Sequence, residues 1–390
     1  MRTICPNGHK GSRTMCCEML RAWLDIENPK RQIIELLLEA QGKGQLLVFH
    51  KFPTLLGFSG PQPVTYLQHG LLTSARDWIL NLPNSSSAFM LFEARYDVWM
   101  GNSWGSTWSR KNFYSPPDSS ESWAFSFDEM AKYDPPATIN FILEMTGHEQ
   151  LYYVGHSQGS TIAFIAFSTD QALAEKVKAL FALSPATAMK HMKSPLDIFL
   201  LFTKKMFKIL FGDRAFFTNI HLEKFIATRI CGCKVLDQIC VNAIFIMCGY
   251  NQKNLNMSRL DMYLSHVSGT SVQTLFHQWQ VRTGKEFQAY DWGSPIQNIM
   301  HFNQPTPPFY RAEDMTAPAF PWSGGNDWLL SPKDVEDLLH QLPNLVYHKM
   351  IPSHNHLDFI WGMDPQEQIY DDLVEMMTQN ASSFPAMGRT

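Results

Sequence analysis

Short apolar runs alternate with helical periods along most of this chain. LLVFHKF (46–52) reads as a strand, and VTYLQHG (64–70) opens on an apolar, β-branched strand that ends in His-Gly. YDVWMGNS (96–103) reads as a strand running into a loop. DEMAKYDPPATINFILEMTG (128–147) changes to the 3.6-residue period, with Pro135 and Pro136 expected at a helix start or a kink. LYYVGHSQG (151–159) is a strand entering a tight turn, STIAFIAFS (160–168) is a helix, and ALFALSP (179–185) is a further buried strand. Upstream, RQIIELLLEA (31–40) is rich in helix formers and is expected to be a short amphipathic helix.

Strands separated by helices imply an α/β fold, a mostly parallel sheet with helices on both faces. Continuous apolar strands such as LYYV fit burial on both sides. The alternation breaks over residues 186–310, which include the apolar SPLDIFLLFTKKMFKILFG (194–212) and CVNAIFIMCG (240–249). Strand signals return at APAFPWSGGND (317–327) and NLVYHKMIPS (344–353). The expected organisation is an atypical N-terminal segment over 1–42, a first core part over 43–185, a helical cap or lid inserted over 186–310, and a second core part over 311–390.

Composition narrows the class. Hydrophobic residues make up 45% and charged residues 17% of 390, which is a globular balance with ample material for a core. The net charge of −4 comes without a basic stripe, so no nucleic-acid partner is expected. No apolar run is long enough to suggest a transmembrane segment, and the polar opening MRTICPNGHKGSRTMCC lacks the apolar region of a signal peptide. Among seven Cys, the spacing of Cys231, Cys233, Cys240 and Cys248 matches no familiar zinc pattern, leaving buried thiols or one disulfide open.

The chemistry centres on Gly155-His156-Ser157-Gln158-Gly159, a G-x-S-x-G pattern between a strand and a helix. Such a turn presents the serine oxygen at the top of a sheet, and the glycines let the chain turn tightly around it. A serine hydroxyl needs a base, and the base needs an acid to orient it. In chain order an acid and then a histidine should follow. Asp327, in Gly324-Gly325-Asn326-Asp327 after a strand, is the leading acid, with Asp291 as its rival. His356 leads as the base and His354 is its neighbour and rival; a His-x-His metal site lacks a third ligand, so no metal and no cofactor is expected. Oxyanion donors are expected from the backbone N–H groups of Gln158 and of Leu71, in the His69-Gly70-Leu71-Leu72 loop.

LQHGLLTSARDWILNLPNSS, DVWMGNSWGSTWSRK, SWAFSFDEMAKYDPPATINFI, YYVGHSQGSTIAF, NLNMSRLDMYLSH, GTSVQ, YDWGSP, WSGGNDWL and HLDFIWG, in this order, resemble the acid lipase family of gastric and lysosomal lipases, which has an α/β-hydrolase fold. The resemblance implies hydrolysis of triacylglycerols or cholesteryl esters through an acyl-enzyme, with Ser157 as nucleophile, Asp327 as acid, His356 as base, and Leu71 and Gln158 as oxyanion donors. A small-ester carboxylesterase and a catalytically inactive lipid-binding relative are the alternatives. It also implies a lid that meets lipid surfaces, a Cys231–Cys240 disulfide with Cys233 as an extra thiol, and a secreted or lysosomal location. In such a location the sequons at Asn84, Asn256 and Asn380 become glycosylation candidates. The chain departs from the family in its N-terminal lead-in, in the lack of a visible signal peptide, and at Trp104, where the family usually has Arg.

Overall fold

The computed structural model describes residues 22–23, 33–40, 45–52 and 61–382, apart from 113, 117, 118, 186, 203, 218–224, 232, 234 and 235. Its strands are β1 (Ala22–Trp23), β2 (Ile33–Ala40), β3 (Gln45–Lys51), β4 (Val64–Gln68), β5 (Asp97–Gly101), β6 (Leu151–His156), β7 (Val177–Leu183), β8 (Ala215–Phe216), β9 (Thr270–Ser271), β10 (Ala319–Gly324) and β11 (Lys349–Ile351). Among the described residues one nine-stranded sheet runs β1-β2-β3-β5-β4-β6-β7-β10-β11, while β8 and β9 pair separately. From β5 to β11 every neighbouring pair is parallel, whereas β1, β2 and β3 join antiparallel.

Side-chain alternation explains why this sheet is covered on both faces. Tyr66, Tyr153, Leu180 and Ala182 pack into one core, with helices α2 (Phe127–Thr146) and α3 (Gln158–Thr169). Their strand neighbours Leu67, Tyr152, Val154, Phe181 and Leu183 pack into the other, with residues of α1 (Ser87–Glu93). Parallel strands need crossover connections, and the crossover helices supply these two layers. The mostly parallel sheet with helices is therefore as the alternation of patterns implied.

Two local expectations are corrected. Residues 31–40 were expected as a helix, but Ile33–Ala40 is the strand β2, paired antiparallel with β3 from Ile34↔Lys51 to Ala40↔Gln45. Leu38 is buried in the first core and Leu36 packs against it, the period of two of a strand, which the short apolar run left indistinguishable from a helix. Pro135 and Pro136 do not start a helix, because both lie inside α2. Its start is fixed instead by a capping box: Ser126 Oγ accepts the Asp128 N–H, and Glu129 accepts the Ser126 N–H at 2.7 Å. Gly147 at φ 71° ends it in the left-handed conformation.

Between β7 and β10 the chain forms α4 (Lys204–Phe211), α5 (Asp237–Cys248), α6 (Val272–Gly284) and α7 (Pro295–Phe302). Phe207, Val272, Phe276 and Tyr290 make a separate small core there. A disulfide joins Cys231 to Cys240, and Cys233 is an exposed free thiol. After β10 the chain returns to the sheet through α8 (Pro332–Leu339) and β11, and ends in α9 (Asp371–Ser382).

Candidate active site

Ser157 sits between β6 and α3 at φ 52°, ψ −119°, a conformation that costs a non-glycine residue on the order of 1–3 kcal/mol. Its surroundings hold it there. The Ser157 N–H donates to the Leu183 carbonyl at 3.0 Å, tying the turn to the end of β7, and its own carbonyl accepts the Ser160 N–H at 2.9 Å as α3 begins. Close packing makes the flanking glycines necessary: a Cβ on Gly155 would lie 2.8 Å from the Ser160 nitrogen, and one on Gly159 would collide with the Gln68 carbonyl at the end of β4.

The loop after β11 brings His356 over this turn. His356 Nε2 lies 2.8 Å from Ser157 Oγ, and its Nδ1 lies 2.8 Å from Asp327 Oδ2. The His356 backbone is held at both ends: its N–H donates to the Cys248 carbonyl at 3.1 Å, and its carbonyl is 3.0 Å from His156 Nε2. Burial pushes His156 down to about 3, with the neighbouring His356 acting in the same direction, so it stays neutral and donates from Nε2. Asp327 lies just past β10. Its Oδ1 accepts the N–H groups of Leu329 and Leu330, each at 2.9 Å. Its other oxygen meets both His356 and Ser184 Oγ, the latter at 2.6 Å.

The rivals are engaged elsewhere. Asp291 accepts from Gly293 N–H and Asn298 Nδ2 and makes no hydrogen bond with Ser157 or His356 among the described residues. His354 turns its Nε2 to Asp364 at 3.2 Å.

The loop carrying Leu71 approaches Ser157 because Gly70 has no side chain; a Cβ there would lie 3.0 Å from Ser157 Cβ and 3.1 Å from His156 Nδ1. His69 fixes this loop. Its Nε2 accepts the Ser103 N–H at 2.9 Å, which leaves Nδ1–H to donate to the Gly70 carbonyl at 2.8 Å. Burial pushes His69 down to about 4, which keeps it in this neutral, bridging form. Leu71 and Gln158 line a common narrow cleft with Leu72, Trp104, Met130 and Thr270. Trp104 stacks on Phe125 with ring centroids 4.7 Å apart. A larger cavity of about 400 Å³, between Lys190, Glu286, Tyr310 and Asp337, contains none of these residues.

Sequence reasoning missed Ser184, at the end of β7. The signal was its place: β7 neighbours β6 in the sheet, so a polar residue ending β7 falls beside the residue that ends β6. For a metal, His191, Asp334 and Asp337 bring one ligand atom each within 4.8 Å of one another, but Asp334 already accepts the His191 N–H and His191 Nδ1. Asn84 is exposed on a short 3₁₀ turn, Asn256 accepts from Ser258, and the side chain of Asn380 lies outside the described residues. Among the described residues no helix is long and apolar enough to cross a membrane.

Comparison with known proteins follows the same lines. A family model for the alpha/beta hydrolase fold matches residues 63–363. The chain is 54% identical over 322 residues to the gastric triacylglycerol lipase of Mus musculus, covering 82% of each. It is 49% identical over 319 residues to the lysosomal acid lipase/cholesteryl ester hydrolase of Homo sapiens, covering 82% of this chain and 80% of that one. Lipase member K of Mus musculus is 46% identical over 389 residues, covering 94% of this chain and 98% of its own. Among solved structures, a soluble variant of monoglyceride lipase from Saccharomyces cerevisiae aligns at a TM-score of 0.52 with 13% identity, over 86% of this chain and 92% of that one, a likeness of fold.

Proposed function

The chain belongs to the α/β-hydrolase family, within its acid-lipase branch, and from that premise we propose that it hydrolyses triacylglycerols or cholesteryl esters with Ser157, His356 and Asp327 as its triad. The observation that carries the roles is the unbroken line of hydrogen bonds from Ser157 Oγ through His356 to Asp327. His356 Nε2 takes the Ser157 proton as Oγ attacks the ester carbonyl, then delivers it to the departing alcohol. Asp327 holds the ring with Nδ1 protonated and stabilises the imidazolium that forms. The N–H groups of Leu71 and Gln158 receive the developing oxyanion. Water then attacks the acyl-enzyme by the same route in reverse, releasing the fatty acid.

Residues 186–310 serve as a cap over the core parts 43–185 and 311–390, and β2 of the N-terminal segment adds to the core sheet through its pairing with β3. Ile198, Ile209, Leu210, Phe217, Phe225 and Ile239 are exposed on this stretch, an apolar surface suited to a lipid interface. A secreted or lysosomal location follows from the relatives, and the Cys231–Cys240 disulfide suits an oxidising compartment.

A fluorophosphonate probe tests the roles. Wild-type protein should label covalently and Ser157→Ala should not, with both retaining the same circular dichroism. Labelling of the Ala variant at full extent would place the nucleophile elsewhere.

A further inference from the structure

Ser184 closes a triangle that a simple triad lacks. It ends β7 at φ 46°, fully buried, with its N–H donating to the Trp322 carbonyl at 2.8 Å. Its Oγ lies 2.6 Å from Asp327 Oδ2 and 2.9 Å from His356 Nδ1. A hydroxyl has one proton and two lone pairs. Asp327 Oδ2 accepts that proton, so the Ser184 oxygen faces the ring nitrogen as an acceptor. The structure assigns Ser184, we propose, as a positioning residue of the hydrolase: a second acceptor for His356 Nδ1–H that holds the productive tautomer and stabilises the imidazolium.

The assignment rests on the triad reading above. The other groups facing His356 do not duplicate this task. Asp327 is the first acceptor, and Ser157 lies on the opposite ring nitrogen. His156, ring centroid 5.1 Å away, is held neutral by burial and turns its Nε2 to the His356 carbonyl rather than to the ring nitrogens. The Cys248 thiol, buried in α5, is pushed up and stays protonated, and that residue's carbonyl takes the His356 backbone N–H. Ser184 is thus the group whose loss removes an acceptor from the imidazolium while leaving the nucleophile and the oxyanion donors untouched.

The sign of the effect follows. Without the Ser184 oxygen the imidazolium that forms in the reaction is less stabilised. In Ser184→Ala, kcat should fall about tenfold, the scale of one hydrogen bond to a charged group. The acid limb of the kcat/KM profile should move to lower pH by about half a unit. Ser184→Gly also lacks the hydroxyl but relieves the positive φ, so it separates chemistry from backbone strain. Both variants showing the same displaced limb supports the assignment. A limb left in place in both, whatever the change in kcat, overturns it and makes Ser184 a packing residue. Measuring Ser157→Ala beside them separates the two readings: turnover retained in that variant would remove the triad itself, and this assignment with it.

Discussion

Two buried aspartates, Asp327 and Asp134, have opposite surroundings. Asp327, past the end of β10, meets four partners: the N–H groups of Leu329 and Leu330, Ser184 Oγ and His356 Nδ1. Asp134, inside α2, is as deeply buried, yet one of its oxygens accepts the Trp104 N–H at 2.9 Å and the other has no hydrogen-bond partner among the described residues. Burial pushes Asp134 up to about 8, with the Trp104 N–H pulling weakly the other way. Residue type and depth are shared, so the number of donors decides what each carboxyl does. A carboxylate with several donors can orient a base, whereas one with a single donor is held as the neutral acid. Position 104, where the acid lipases usually carry Arg, holds a Trp whose ring stacks on Phe125 and whose backbone alone serves Asp134.

The largest expected effect is at the well-satisfied end. Asp327→Asn should lower kcat by roughly 10⁴-fold while the fold persists, because an amide in that place favours the wrong tautomer of His356. A loss of tenfold or less would show that Ser184, not Asp327, orients the ring.

Gly70→Ala probes the loop after β4. The added Cβ would press on Ser157 and His156 and push the Leu71 N–H away. A kcat reduced about 10²-fold with KM little changed is expected, the scale of one lost oxyanion donor. Unchanged kcat in this variant would take Leu71 out of the oxyanion site.

The third effect concerns Asp134 and is read in stability, not in turnover. Its folded value of about 8 lies above the ordinary 3.8, so the folded protein keeps a proton that the unfolded chain gives up. The group is therefore without penalty below about pH 4, and stability falls as pH rises from there to about 8, by up to roughly 1.4 kcal/mol per pH unit. Asp134→Asn should remove this slope, raising Tm over wild type at pH 8 but not at pH 4. Parallel Tm curves for the two proteins would mean that Asp134 has a countercharge in solution, and the contrast with Asp327 would fail.

Much of this was legible in the chain. Gly155 to Gly159 declared the turn because its glycines answer to a steric need that only this geometry creates. Chain order called for an acid and then a histidine after strands that the parallel sheet delivers to one edge, which left Asp291 and His354 as rivals until the family resemblance favoured Asp327 and His356. Residues 33–40 were misjudged because eight residues of mixed Ile, Leu and Glu fit either period, and their pairing with β3 settles them. The place of Ser184 at the end of β7 was a signal for its neighbourhood, but its hydrogen-bond partners and the isolation of Asp134 were not legible. Both depend on contacts between residues far apart in sequence, Ser184 with Asp327 and Asp134 with Trp104, which no local pattern encodes.

The central claim is that Ser157 is the nucleophile of a lipid-ester hydrolase, and hydrolysis of a long-chain triglyceride emulsion tests it most directly. Fatty-acid release followed by titration at pH 5 and at pH 7.5 should be rapid for the wild-type protein and fall to background in Ser157→Ala at both. Release by the Ala variant at a rate near that of wild type would contradict the account.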